Sequence, residues 1–199
     1  MSKKLPLKFY LRDTKKVARE LLGKRLVCIH KGKRLAGIIV ETEAYLGIKD
    51  RAAHTFGGRR TPRTEVMWGE GGHAYIYFIY GMHFCLNAVT KGSGHPEAVL
   101  IRAIQCTEGL GQIKKLRKMA VEKNLGNGPG KLCQALNITR DLNGQKLNGS
   151  KLFIEETSTK ISLSQIASSP RIGVDYSKEA KHWCLRFFLK NNIYVSKKA

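Results

Sequence analysis

Two carboxylates, Glu41 and Glu43, stand two residues apart in the apolar run Ile38-Ile39-Val40-Glu41-Thr42-Glu43-Ala44-Tyr45. In an extended chain with a two-residue period they share one face with Tyr45, while Thr42 and Ala44 point the other way. Carboxylates at the end of a β-rich strand are costly to bury without a purpose. One could act as a general base, or the pair could hold a divalent cation with Asp50 as a further ligand. A solvated strand end is the plain alternative. Arg102 sits inside Val99-Leu100-Ile101-Arg102-Ala103-Ile104, a run that reads as buried. A buried guanidinium needs an anion beside it, and either glutamate fits. His54 follows Glu43 by eleven residues and precedes a glycine- and arginine-rich stretch, where it can serve structure or chemistry.

A second group is aromatic. In Tyr75-Ile76-Tyr77-Phe78-Ile79-Tyr80-Gly81-Met82-His83-Phe84-Cys85, a strand entering a tight turn at Tyr80-Gly81 puts Tyr75 and Tyr77 on one face and Tyr80 near the tip. A rigid aromatic on a hairpin tip could pry into stacked bases; the same tyrosines could equally line a core. The loop Gly126-Asn127-Gly128-Pro129-Gly130-Lys131 is not a nucleotide-binding phosphate loop, because Leu132 replaces the required Ser/Thr and the glycine spacing is one residue short. Opening a helix, it could still offer backbone N–H groups to a DNA phosphate. The nucleophile elbow of serine hydrolases and the paired-histidine zinc helix are both missing.

Charge narrows the partners. Among 199 residues, 36 Lys plus Arg face 15 Asp plus Glu, for a net charge of +21 spread along the chain. Small domains usually carry a net charge of roughly 2 to 8, so a polyanion is the expected partner, nucleic acid before an anionic membrane surface. Five cysteines without a Cys-x-x-Cys pair support neither a zinc finger nor a disulfide framework, which fits a reducing compartment. No apolar run approaches the roughly 18 residues of a membrane span, and the N-terminal lysines are not followed by an apolar signal core.

These residues need a scaffold, and the pattern predicts one α+β domain over residues 1–199. A helix is expected from an Asp13/Thr14 cap through Val17, Ala18, Leu21 and Leu22 to Gly23. A hairpin follows from Leu26–His30 and Leu35–Thr42 across Lys31-Gly32-Lys33, then an ordered surface loop over Gly57–Arg63. The aromatic hairpin returns as a strand from about Phe84 to Val89, and Ala98–Ile104 reads as another strand. A basic helix is expected over about Gln112–Lys123 and a second through Leu132, Ala135 and Leu136. Strands Leu185–Lys190 and Ile193–Ser196 are expected to turn at Asn191-Asn192.

Taken together, the chain resembles the alkyladenine (3-methyladenine or methylpurine) DNA glycosylase family. The likeness rests on Ala18-Arg19-Glu20-Leu21-Leu22-Gly23-Lys24, Glu41-Thr42-Glu43-Ala44-Tyr45-Leu46-Gly47, Ala52-Ala53-His54, Gly57-Gly58-Arg59 and Thr61-Pro62-Arg63. The tyrosine hairpin, Asn87, Leu100-Ile101-Arg102-Ala103, Gly126-Asn127-Gly128-Pro129, Lys131–Leu136 and Arg171-Ile172-Gly173-Val174 extend it in family order from about residue 15 to 190. The resemblance implies a single-domain α+β fold with a curved antiparallel β-sheet, surrounding helices and a protruding DNA-inserting β-hairpin. It implies monofunctional excision of alkylated or deaminated purines from double-stranded DNA, without metal or organic cofactor. Glu43 matches the general base and Arg102 the arginine near it. Tyr45, His54 and Tyr77 match the pocket around the flipped base, Asn87 the position that discriminates against normal guanine, and Ile172 and Gly173 a segment close to the flipped nucleotide. Tyr80 matches the residue that fills the gap in the duplex, with Met82 beside it, and Arg59 and Thr61 match DNA-backbone contacts. Tyr75 is left as packing. His83, where an aromatic is expected, and Asp175-Tyr176 depart from the pattern. Compared with animal members the chain lacks a long N-terminal extension, which suggests a bacterial source. A monomer is expected, cytoplasmic and nucleoid-associated in a bacterium, nuclear in a eukaryote.

The chemistry suits these groups. N-glycosidic hydrolysis needs a water aimed at C1′ and stabilisation of an oxocarbenium-like sugar. One carboxylate can do both, with Arg102 favouring its charged form. An alkylated, cationic purine stacks on tyrosine for roughly 0.5 to 2 kcal/mol, while flipping it out costs a few kcal/mol. Neutral lesions would need a hydrogen bond or leaving-group proton, from His54 or its backbone. Two other functions use the same residues: a metal-dependent nuclease built on Glu41, Glu43 and Asp50, and a non-enzymatic architectural DNA- or RNA-binding protein.

Overall fold

A curled antiparallel sheet carries the site. The computed structural model describes residues 3–197. Its strands are β1 (Arg25–His30), β2 (Lys33–Tyr45), β3 (Ala74–Ile79), β4 (His83–Thr90), β5 (Glu97–Glu108), β6 (Leu152–Glu155), β7 (Ile166–Ser169) and β8 (Arg186–Leu189). They run in the order β3-β4-β5-β2-β1-β6, and β8 joins the C-terminal half of β2 and carries β7. Every pairing is antiparallel. β1 and β8 share one edge of the long β2, which pairs with β5 along its other edge.

Three short helices cover the sheet: α1 (Thr14–Glu20), α2 (Leu110–Arg117) and α3 (Pro129–Ala135). α1 is capped by Asp13, whose carboxylate accepts from the Lys16 N–H. It buries Val17 and Ala18 against β2, and α3 packs Leu132, Cys133 and Ala135 against β4 and β5. The main core joins Leu21, Leu26, Leu35, Ile39, Leu86, Ile101, Ile104, Leu132 and Phe187, all fully buried.

Both expected hairpins form on two-residue turns with positive φ at each central residue: Lys31 (48°) and Gly32 (73°), and Tyr80 (51°) and Gly81 (65°). That geometry matches the right-handed twist of the flanking strands. The register pairs Ile79 with His83, so Tyr80 stands at the tip of β3–β4.

Six elements differ from expectation. The basic helix stops at Arg117 and does not reach Lys123: Lys118 turns left-handed (φ 47°), and Arg117 donates to the Leu125 and Asn124 carbonyls, folding the chain back. Ile193–Ser196 is not a strand; its Tyr194 and Val195 N–H groups donate to Asn192, and Ser196 donates to Glu41. β6 and β7, four residues each, were not expected at all. β2 and β5 are longer than their apolar cores suggest.

Candidate active site

Two adjacent register shifts build the centre. Ile39 pairs with Ile104, Glu41 with Ala103 and Thr42 with Ile101, so Val40 and Arg102 are each the extra residue of a bulge. Bulges re-aim side chains, and here Arg102 reaches both glutamates. Its Nε lies 3.2 Å from Glu41 Oε1, and its Nη1 lies 3.3 Å from Glu43 Oε1. Both carboxylates are fully buried. Burial alone would pull the Arg102 guanidinium down, but Glu43 and Glu41 hold it above its ordinary value.

Beside this ion pair, Glu43 accepts two hydrogen bonds: Tyr45 Oη donates to Oε2 at 2.9 Å, and the Ile172 N–H donates to Oε1 at 2.8 Å. Both oxygens therefore act as acceptors, and among the described residues Oε2 carries only the tyrosine hydrogen bond. Burial, then the neighbouring Glu43, push the Tyr45 phenol well above its usual range, so it stays a donor. The Ile172 backbone is aimed by its neighbour. Arg171 grips Asp50 with two fully buried hydrogen bonds of 2.5 and 2.8 Å and lies 4.7 Å from the centre of the Tyr45 ring. Asp50 also accepts the N–H groups of Leu46 and Ala52, so its carboxylate bolts the loop after β2 to the 171–174 segment.

A cavity of about 390 Å³ opens in front of Glu43, large enough for a purine. Tyr45, His54, Tyr77, Tyr80, Asn87, Arg102, Ile172 and Gly173 all line it, as do Tyr75, Met67, Leu100, Cys85 and Tyr176. Glu43 itself lies behind the wall, while each of its three donors faces the cavity. Tyr80 stands at the mouth, 85% exposed. Met82, 69% exposed, sits instead over a separate groove with His83 and Phe84. Arg59 is exposed and Thr61 half-buried on the loop beyond His54; neither lines the cavity, and Thr61 is braced by Thr64, whose Oγ1 accepts from its N–H at 2.9 Å.

His54 shares a 2.8 Å hydrogen bond with Tyr75 Oη through Nδ1 and packs edge-on to Tyr77, ring centres 4.7 Å apart. Burial, then Arg63 and Arg59, lower its pKa to about 4, so near neutral pH the imidazole is uncharged. Tyr75 is therefore more than packing: its hydroxyl fixes the orientation of His54. Asn87 donates to the Tyr75 carbonyl at 3.1 Å, at the floor of the same cavity.

Sequence reasoning missed Arg186, which donates from Nε to Glu41 at 2.6 Å. The signal was present, since Leu185-Arg186-Phe187-Phe188 repeats the arginine-in-an-apolar-run pattern that singled out Arg102. The three carboxylates of the nuclease alternative do not converge. Glu41 is occupied by Arg102 and Arg186, Asp50 by Arg171, and Glu43 by its own donors. Among the described residues, no group of three or more His, Cys, Asp or Glu side chains is placed to hold a metal ion.

Comparison with known proteins shows what the chain is similar to. The family model described as methylpurine-DNA glycosylase matches residues 8–193. A protein of Bacillus cytotoxicus, provisionally named 3-methyladenine DNA glycosylase, is 49% identical over 98% of this chain and 100% of its own length. Proteins of Desulfitobacterium hafniense and Clostridium acetobutylicum with the same provisional name are each 50% identical, over 98% and 97% of this chain and 100% and 97% of theirs.

Proposed function

The chain belongs to the methylpurine-DNA glycosylase family, and from that membership we propose that it flips alkylated or deaminated purines out of duplex DNA and hydrolyses their N-glycosidic bond with a Glu43-activated water. The coarse activity, hydrolysis of N-glycosidic bonds in DNA, follows from the family. The finer reading rests on one observation: a fully buried carboxylate whose three donors all face an aromatic cavity, with an exposed tyrosine at its mouth.

The flipped purine enters between Tyr45, Tyr77 and His54. Cationic bases gain most from the tyrosine faces, and alkylation has already weakened their glycosidic bond. The unfilled acceptor capacity of Glu43 Oε2 seats a water, which the carboxylate orients and deprotonates as it attacks C1′. The same charge faces the oxocarbenium-like sugar, and Arg102 holds the carboxylate in place. His54, uncharged at neutral pH, offers a hydrogen bond to a departing base and does not protonate it. Asn87 crowds the floor against the exocyclic amine of normal guanine. Tyr80 fills the gap in the duplex with Met82 beside it, while Arg59 and Thr61 contact the backbone.

On this reading the protein acts as a monomer in the bacterial cytoplasm, at the nucleoid, as its matched relatives are bacterial. Among the described residues no helix is long and apolar enough to cross a membrane. The decisive assay is release of free base from methylated, deaminated and etheno-adducted duplexes. Released purine and intact strands bearing abasic sites, unaffected by EDTA, are expected. Direct nicks abolished by EDTA would replace this reading with the nuclease, and binding without release with the architectural protein.

A further inference from the structure

Glu41 does not line the cavity, yet it accepts four hydrogen bonds. Oε1 accepts from Arg102 Nε (3.2 Å), Arg186 Nε (2.6 Å) and Ser196 Oγ (2.9 Å), and Oε2 accepts from the Ser196 N–H (2.7 Å). Arg186 also binds the tail directly, donating from Nη2 to the Lys197 carbonyl, and donates from Nη1 to Ser169 Oγ at 3.0 Å. Glu41, Glu43, Arg102 and Arg186 thus form a buried quartet with two charges of each sign. The C-terminal segment supplies two of the four donors on its inner carboxylate.

We propose that this tail is a working part of the active site: Ser196 and Arg186 fix Glu41, and Glu41 fixes the cavity-lining Arg102 in a posture that leaves Glu43 Oε2 open to water. The inference rests on Glu43 being the base. Arg102 is shared between the two carboxylates, with Nε hydrogen-bonded to Glu41 Oε1 and Nη1 3.3 Å from Glu43 Oε1. A guanidinium freed from Glu41 would instead fork onto both oxygens of Glu43, the bidentate geometry that arginine and carboxylate favour. That fork consumes the acceptor position the water needs. Glu41, Arg186 and Ser196 are on this account positioning residues, acting through Arg102 and touching no substrate.

Ser196 is the cleanest handle, because it is half-buried near the chain end and lies outside every strand and helix. In the full-length protein, Ser196→Pro removes both donors, Ser196→Ala removes only the hydroxyl, and Ser196→Thr keeps both. Single-turnover excision from a 7-methylguanine duplex separates the maximal rate from the half-saturating DNA concentration. Ser196→Pro is expected to lower the maximal rate roughly 10-fold and Ser196→Ala about 3-fold, with half-saturation within about 2-fold of the parent and Ser196→Thr restoring the rate. Parental rates in both Ser196→Pro and Ser196→Ala overturn the proposal. So does a loss that tracks melting temperature and disappears on cooling well below it, since a merely structural tail behaves that way. Glu43→Gln run alongside separates the two ideas: full activity there removes the base assignment itself, whereas an inactive Glu43→Gln with an unaffected Ser196→Pro removes only the role of the tail.

Discussion

Burial, followed by Arg63 and Arg59, brings the His54 imidazole down to about 4, and this depression is a statement about stability as well as chemistry. The unfolded chain takes up a proton near pH 6.5, while the folded chain resists it until about pH 4. Stability from an uncharged His54 is therefore complete above pH 6.5 and lost as pH falls towards 4, on the order of 1–3 kcal/mol. Melting temperatures recorded from pH 7.5 to 4.5 should fall more steeply for the parent than for His54→Gln; parallel slopes would mean that His54 protonates freely in the folded protein. At this scale the sequence was legible where a residue contradicted its surroundings. Arg102 inside an apolar run announced a buried ion pair, and Arg186 carried the same signal unread. The Tyr75–His54 bond was not legible, because nothing in the spacing of a tyrosine shows where its hydroxyl points.

At the scale of elements, the β3–β4 hairpin is the one to which the proposed function assigns most. Its turn holds Tyr80 at φ 51°, a backbone posture that a bulky residue adopts only when the turn demands it, and this leaves the ring 85% exposed. Solvent exposure of so large an apolar surface calls for a partner. Tyr80→Ser should fold normally, excise more slowly from duplex DNA, and give a smaller fluorescence rise when 2-aminopurine reports flipping; an unchanged flipping signal would remove the wedge role. This hairpin was readable because alternation, glycine and turn length all agree in a short window. The C-terminal tail is the opposite case: Ile193–Ser196 has β-type composition, but the Tyr194 and Val195 N–H groups turn back to Asn192 and both Ser196 donors go to the Glu41 carboxylate, a long-range partner invisible to local pattern. The basic helix was overrun because its end is set by Lys118 turning left-handed, where no glycine or proline announces a stop.

For the whole molecule, the charge of +21 does what no single residue can. It supplies a sequence-independent attraction to the phosphate backbone, so affinity for duplex DNA should fall steeply, by orders of magnitude, between about 50 and 200 mM salt. A flat response in an anisotropy titration would show that the basic surface is not the binding surface. Within that field a curled sheet sets two bulges side by side, the bulges gather Glu41, Arg102 and Glu43, and the loops after β2 and β7 help to line an aromatic cavity that Arg102 reaches. In single-turnover reactions on an alkylated duplex, Glu43→Gln should bind the lesion DNA as the parent does and release no detectable base, whereas release at the parental rate would contradict the assignment of Glu43 as the group that activates water.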